Sequence, residues 1–404
     1  MSTSLLYRAF GIREYSYSKT EYKKGKVIFT IAHNPESLKC SGCGVKEITL
    51  RGGKKRIFRT VSIGKKKVFI QLRIQRMKCQ SCGKVRQVKV GFADPLLSYT
   101  KSFERYANEL SQYMSILDVA RHLGVSWDII KDIQKRYLKT HFGKPKLRHL
   151  KRIAIDEISI GKRHKYLTVV LDIESGAVVF IGDGKGAAAL ISFWKRLKSS
   201  GAKIEAVAID MSPAYIEAVS ANLPEASIVF DHFHVIKYFN DKLSNLRREL
   251  QREIEDEQQK QVLKGTRWLL LKNPEHLDGV HNEKERLEAA LELNKPLATV
   301  YYMKEDLRLV WKQEDKLEAE TFLDDWIKRA RVSGTSMLKH FANTLSVHKE
   351  GILAYYDFPI STGRLEGTNN KINTMKRQAY GFRDMEFFML KIFAIHKTKY
   401  ALVG

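Results

Sequence analysis

The sequence predicts a multidomain chain: a small cysteine-stapled β module, then a helix-turn-helix, then an α/β core interrupted by an all-helical insertion. Three observations carry this reading. All four cysteines lie between residues 40 and 82, in two C-x-x-C pairs. The segment 101–138 has helical spacing of its apolar residues, with Gly124 as a turn. From Arg152 to Asp231 short β-branched runs alternate with helical ones, and after about Val235 no further run reads as a strand.

A chain of 404 residues can form about two to four domains, at least one large enough to bury a core and hold a preorganised site. Lysine and arginine number 71 against 45 aspartates and glutamates, a formal net charge of +26 that points to a polyanionic partner. No apolar run approaches the roughly 18–20 residues of a membrane span, so nucleic acid fits better than a membrane. The N-terminus shows no charged start, long apolar stretch and small-residue cleavage site in series, and the expected location is the cytoplasm, on the nucleoid.

The first domain is expected over residues 1–95. Cys40, Cys43, Cys79 and Cys82 read as four thiolate ligands of a structural zinc ion, since a reducing cytosol disfavours disulfides. From Tyr22 to Val90 apolar and basic residues alternate, with Gly52-Gly53 and Gly64 at turns, as in a small antiparallel β unit. A unit with so few apolar residues needs a staple, and zinc supplies one. Between Arg51 and Ala93 there is no acidic residue, while Lys54, Lys55, Arg56, Lys65, Lys66 and Lys67 form two basic runs. Phosphate contact explains that bias better than a merely solvated face.

Residues 96–145 are expected to hold the helix-turn-helix. Ala120 permits close helix crossing, Gly124 turns the chain and Ser126 caps the second helix; Val119, Leu123, Val125, Ile129, Ile130 and Ile133 pack the pair. The second helix would then present Trp127, Asp128, Lys131 and Lys135 outward, with Trp127, Lys131 and Lys135 as candidate DNA contacts.

The core is expected over residues 146–236, with strands at Arg152–Asp156, Tyr166–Asp172, Ala177–Ile181, Ala206–Asp210 and Ser227–Asp231. The helical insertion runs over 237–350, broken at Asn273-Pro274, Asn294-Lys-Pro296 and Gly334; residues 351–404 return to the core, with a final helix from Ser361. Asp156 and Asp210 each end an apolar run, which places a carboxylate on or just past a buried strand, where it needs a cation or a set of hydrogen bonds. Magnesium, bound through few carboxylates and leaving positions for water and phosphate, suits such a pair. Asp172, Glu174, Asp183 and Asp231 occupy comparable places, and spacing does not choose among them.

The whole ordering resembles the bacterial insertion-sequence DDE transposases of the ISL-three type, over nearly the full chain. The most specific pieces are Ile155-Asp-Glu157, Ala208-Ile-Asp-Met-Ser212, Phe230-Asp-His-Phe-His-Val235 and Gly363-Arg-Leu-Glu-Gly-Thr-Asn-Asn-Lys371. The resemblance implies a ribonuclease H-like core with adjacent aspartate strands, in which Asp156, Asp210 and Glu366 are the catalytic carboxylates that hold two Mg2+ (or Mn2+) ions. Glu157 beside Asp156 competes for the first position. Asp231 and His234 match an acid-x-x-His signature and would support the site or position DNA. Arg364, Asn369, Lys371, Lys376 and Arg377 would face DNA from the last helix.

Such a protein would bind the terminal inverted repeats of its element, cleave there and join the freed ends to target DNA. Two ions roughly 3.5–4 Å apart stabilise both the attacking and the leaving oxygen of a phosphodiester. The expected partners are double-stranded element ends and target DNA, with at least a homodimer on DNA because two ends must meet. The alternative is a catalytically silent, sequence-specific DNA-binding regulator derived from a transposase. Trp268, Trp311 and Trp326 read as core residues in preference to base-stacking ones.

Overall fold

The computed structural model describes residues 3–161, 165–279, 281–360 and 363–396. It divides into two compact units, one formed by Met1–Lys144 with Arg377–Gly404 and the other by Pro145–Lys376.

The first unit opens with helix α1 (Thr3–Phe10) and strands β1 (Tyr15–Lys23), β2 (Lys26–His33), β3 (Ile48–Ile63), β4 (Lys66–Cys79) and β5 (Val85–Gln87). They form one sheet in the order β1-β2-β4-β3, with β5 on β4. Inward residues recur at period two along β4: Val68, Ile70, Leu72 and Ile74 are buried with Phe29, Phe58 and the α1 residues Leu6 and Phe10. The expected antiparallel unit from Tyr22 needs two corrections. The sheet begins at Tyr15, and β2 pairs with β4 in parallel. The β3–β4 hairpin inserts its second strand beside β2, and the long cysteine-bearing connection makes that crossover possible. Gly64 does turn the hairpin, but Gly52 (φ 79°) sits within β3, where the register with β4 shifts between Leu50 and Gly53.

Helices α2 (Lys101–Leu110), α3 (Ile116–Leu123) and α4 (Trp127–Phe142) follow. Gly124 has φ 62° and ends α3 in the left-handed conformation that glycine adopts without strain. Val119, Ala120, Leu123, Ile130 and Ile133 are buried between the helices, with Val125 and Ile129 packed partly against them. Ser126 stands at the N-cap of α4 without a side-chain cap bond, contrary to expectation; Ser115 instead caps α3, accepting from the Asp118 N–H at 3.2 Å.

The second unit contains β6 (Arg152–Gly161), β7 (Lys165–Asp172), β8 (Val178–Asp183), α5 (Ile191–Ser200), β9 (Ala206–Ile209), α6 (Pro213–Asn222) and β10 (Ser227–Phe230). The strand order is β10-β9-β6-β7-β8. β6, β7 and β8 are antiparallel neighbours, whereas β9 runs parallel to β6 and β10 parallel to β9. Asp156 lies inside β6, which continues to Gly161, and not at the end of the strand.

Then come α7 (His232–Glu253), α8 (Glu257–Gly265), α9 (Glu283–Leu293), α10 (Lys295–Leu309), α11 (Lys316–Val332) and α12 (Ser336–Leu353), with no strand among the described residues between them. The breaks fall where prolines and glycines placed them: a single tight turn at Pro274–His276, Asn294 capping α10, and Gly334 (φ 75°) between α11 and α12. Gly351 lets α12 lie directly on β10, since a Cβ there would stand 2.5 Å from the Phe230 ring. Trp326 is fully buried, its indole N–H donating to the Met303 carbonyl at 2.8 Å, and Trp311 is packed partly against the same core. Trp268 is not core; it is 65% exposed, with the Arg267 guanidinium 4.7 Å from its ring centre.

Helix α13 (Gly363–Gln378) was expected to be last, but α14 (Met385–Phe393) follows. The expected start of α13 at Ser361 lies outside the described residues. In the first unit, Phe387, Leu390 and Ala394 at the α14 end pack against Leu138 of α4.

Candidate functional site

Two clusters of ionisable side chains stand out. In the first unit, Cys40 and Cys43 flank one turn, and Cys79 and Cys82 another at the end of β4. The turns are built alike: the Cys40 N–H donates to the Val45 carbonyl and the Cys79 N–H to the Lys84 carbonyl, while the Gly42 and Cys82 N–H groups point at the Cys40 and Cys79 sulfurs, each at 3.4 Å. The four Sγ atoms lie within 4.8 Å of one another, with Cys40–Cys82 at 3.8 Å and Cys43–Cys79 at 3.4 Å. Tetrahedral zinc–thiolate bonds of about 2.3 Å place sulfurs about 3.8 Å apart, so the donor set fits zinc. The N–H groups of Cys43 and Gly42 bring the Cys40 thiol down to about 6. The Val45 N–H also lowers Cys43, but the neighbouring sulfurs push it up to about 11. Thiolates crowded this closely repel one another, and a cation between them removes that cost.

In the second unit, β6 and β9 are in parallel register at Ala154 and Ala208. Continued by two residues, that register sets Asp156 level with Asp210. A cavity of about 480 Å3 is lined by Asp156, Glu157, Asp210, His234 and Lys237 among others, and a second of about 280 Å3 by Asp156, Glu157, His234, Lys237, Glu366 and Asn369. The shared residues make these two parts of one cleft. Burial raises the Asp156 carboxyl above its ordinary value, and the Asp210 charge raises it further; the Glu157 N–H, the His234 charge and the Asn369 amide oppose the rise. Among the described residues only the cysteines bring three or more ligand atoms within one ion's reach; the three expected carboxylates line the cleft without converging so closely.

The other acidic candidates separate by their contacts. Asp172 is buried and caps the turn after β7, accepting from the N–H groups of Glu174 and Ser175 and from the Ser175 hydroxyl. Asp231 is buried and caps α7, accepting from the Phe233 N–H at 3.3 Å. That cap places His234, and Lys237 one turn later, on the face of α7 that borders the cleft. Glu157 is held by the Tyr215 hydroxyl at 2.9 Å, which in turn meets Thr168 and the Gly186 N–H, both at 3.1 Å. The sequence reading missed Lys237 and Tyr215; the three-residue spacing from His234 was the available signal for the former.

Several expected DNA contacts are engaged elsewhere. Lys131 and Lys135 do not point freely outward: both pair with Asp384, at 2.9 and 3.0 Å, and Lys135 also with Glu386 at 2.8 Å. The arrival of α14 on α4, which periodicity could not reveal, explains this. Asn369 turns inward, its amide donating to Asp156 Oδ2 at 2.7 Å. Arg364 donates to the Ile173 and Glu174 carbonyls and Lys376 to the Ser159 carbonyl. Arg56 reaches the Leu97 carbonyl and Lys67 the Gly124 carbonyl. Lys54, Lys55, Lys65, Lys66, Trp127, Lys371 and Arg377 are exposed.

Residues 153–392 match the family model of ISL3-type DDE transposases, described as a transposase. The chain belongs to the ISL3 family of transposases. Residues 88–138 of this transposase match the helix-turn-helix domain of the same family, and residues 36–82 match the zinc finger of transposases of IS204, IS1001, IS1096 and IS1165. The transposase for insertion sequence element IS1001 of Bordetella parapertussis is 32% identical over 356 residues, 87% of each chain. That for IS1557 of Mycobacterium tuberculosis is 28% identical over 370 residues, 85% of this chain and 82% of the other. The Drosophila P element transposase strand transfer complex matches 66% of this chain and 81% of that chain at a TM-score of 0.33 and 12% identity, too distant to carry an argument. The family makes this chain a DNA-cleaving and DNA-joining enzyme of an insertion sequence, with a zinc ribbon and a DNA-binding helix-turn-helix. Among the described residues no helix is long and apolar enough to cross a membrane.

Proposed function

We propose that this transposase cleaves and joins DNA at the cleft between β6, β9 and α13, with Asp156, Asp210 and Glu366 holding two Mg2+ or Mn2+ ions. The observation that carries the reading is that two adjoining cavities sharing Asp156 are lined by Asp210 in one and by Glu366 in the other, from segments as distant as β6 and α13. The raised Asp156 carboxyl, beside the Asp210 charge, supports a cation between them. The sheet, three antiparallel strands followed by two parallel ones, supports a ribonuclease H-like core, and the helices from α7 to α12 are its insertion. We divide the chain at 1–95, 96–145, 146–236, 237–350 and 351–404, with α7 and α12 running across the two ends of the insertion and residues from Arg377 onward packing with the first unit.

When bound, the ions would polarise the scissile phosphate and lower the pKa of the attacking hydroxyl or water. The protein's own groups orient the carboxylates: the Glu157 N–H at 2.7 Å and the Asn369 amide hold the two oxygens of Asp156, and the Ser212 N–H at 3.1 Å holds Asp210. Exposed Lys237 offers a positive charge to the incoming phosphate. The zinc ribbon and helix-turn-helix bind the element's terminal inverted repeats, at least two copies of the chain bring the ends together, and the protein works on the nucleoid in the cytoplasm. The test is excision from a plasmid carrying the gene and its native flanks, scored by PCR across the donor site. Wild type gives junction products and Glu366→Gln gives none; products from both would remove Glu366 from the site.

A further inference from the structure

We propose that Arg364, Asn369 and Lys376 are positioning residues that set the register of the Glu366 helix on the sheet, and are not DNA contacts. The inference rests on the carboxylate assignment above. Each side chain crosses to a fixed acceptor far away in sequence. Arg364 Nη1 donates to the Ile173 and Glu174 carbonyls, both at 2.7 Å, at the turn after β7. Asn369 Nδ2 donates to Asp156 Oδ2 at 2.7 Å, and Lys376 Nζ to the Ser159 carbonyl near the end of β6 at 2.9 Å.

Along a helix rising about 1.5 Å per residue, these pins lie on both sides of Glu366 and span most of α13. Leu365, Ile372 and Met375 form a buried apolar stripe along one side of α13. Apolar packing is non-directional and leaves sliding along the axis cheap, whereas hydrogen bonds to main-chain carbonyls do not. The polar pins therefore define the height of Glu366 relative to Asp156. Asn369 places its amide on Asp156 while its own Oδ1, buried, finds no partner among the protein groups, so the bond to the carboxylate is what holds this side chain. Its amide also fixes the plane of the Asp156 carboxylate, whose other oxygen accepts from the Glu157 N–H.

The test uses the full chain and three readouts: anisotropy binding to element-end duplex at several salt concentrations, single-turnover strand cleavage at saturating duplex, and Mn2+ binding followed by electron paramagnetic resonance without DNA. The variants are Asn369→Ala, Lys376→Met and Lys376→Arg, with Glu366→Gln as control. The expected result is unchanged DNA affinity and salt slope, cleavage slowed about 10–100-fold, weaker Mn2+ binding, and partial rescue in Lys376→Arg. Loss of affinity with a salt slope lower by about one and normal cleavage at saturation would overturn the proposal, because that is how phosphate contacts behave. So would normal cleavage and Mn2+ binding by both Asn369→Ala and Lys376→Met while Glu366→Gln is dead. Wild-type cleavage by Glu366→Gln would overturn the carboxylate assignment itself, and the positioning role with it.

Discussion

The zinc ribbon and the carboxylate cleft are both gatherings of side chains that repel one another once ionised, yet they are assembled in opposite ways. The cysteines sit on two like-built turns, with all four sulfurs within 4.8 Å of one another, close enough for one ion to reach. The carboxylates come from β6, from the residue after β9 and from α13, and they stay apart along an open cleft. A closed site serves the fold around it; an open one leaves room for substrate. The ribbon is therefore expected to lose its structure when a ligand is removed, and the cleft to lose only its chemistry.

The largest effect is expected from Cys79→Ser. Structural zinc contributes on the order of 10 kcal/mol to small domains, so the variant should lose its roughly one zinc per chain and the fold of β1–β5. Metal analysis and limited proteolysis would show it, and a fully zinc-loaded variant would break the contrast. Asp210→Asn should slow strand cleavage by about 10²–10³-fold or more, with no loss of thermal stability, since it removes a charge that raises its neighbour's carboxyl. A marked drop in melting temperature would assign the cleft to structure after all.

An intermediate effect concerns the basic face of the β3–β4 hairpin. Replacing the exposed Lys54, Lys55, Lys65 and Lys66 with alanine should reduce the salt slope of duplex binding by up to about 0.9 per lysine and leave cleavage at saturating DNA intact. A salt titration by anisotropy decides it. The smallest effect is expected at Asp384. Burial pushes its carboxyl up, but the Phe387 N–H and the Lys131 and Lys135 ammonium groups outweigh that and hold it well below the usual carboxylate range. A depressed folded-state value means that the stabilisation is present above the unfolded value near pH 4 and is lost as pH falls toward the folded one. Asp384→Asn should thus cost about 0.5–1 kcal/mol at pH 7, with the gap to wild type closing below about pH 4 in urea titrations.

Much of this was legible locally. The ribbon ligands follow from C-x-x-C spacing, and the helix-turn-helix from Gly124 between two apolar stripes. The core strands follow from β-branched runs ending near aspartates. What misled was polarity read without partners. Lys131, Lys135, Arg364, Asn369 and Lys376 look like surface groups for DNA, because no local pattern says that α14 covers α4 or that α13 docks on β6. The parallel β2–β4 pair was hidden for the same reason, since both strands alternate as antiparallel ones do.

The sequence by itself determined the charge of the partner, the zinc ligands and the order of the core strands β6–β10, because these depend on composition and on spacing within a few turns of chain. Tertiary structure alone decided which acids cap turns and which face the cleft, and which basic groups are pinned. Asp172 and Asp156 occupy equivalent places in their strands as far as local sequence tells. One is closed off by Ser175 and its own turn, while the other is left open to a helix more than two hundred residues away, and only long-range packing makes that distinction.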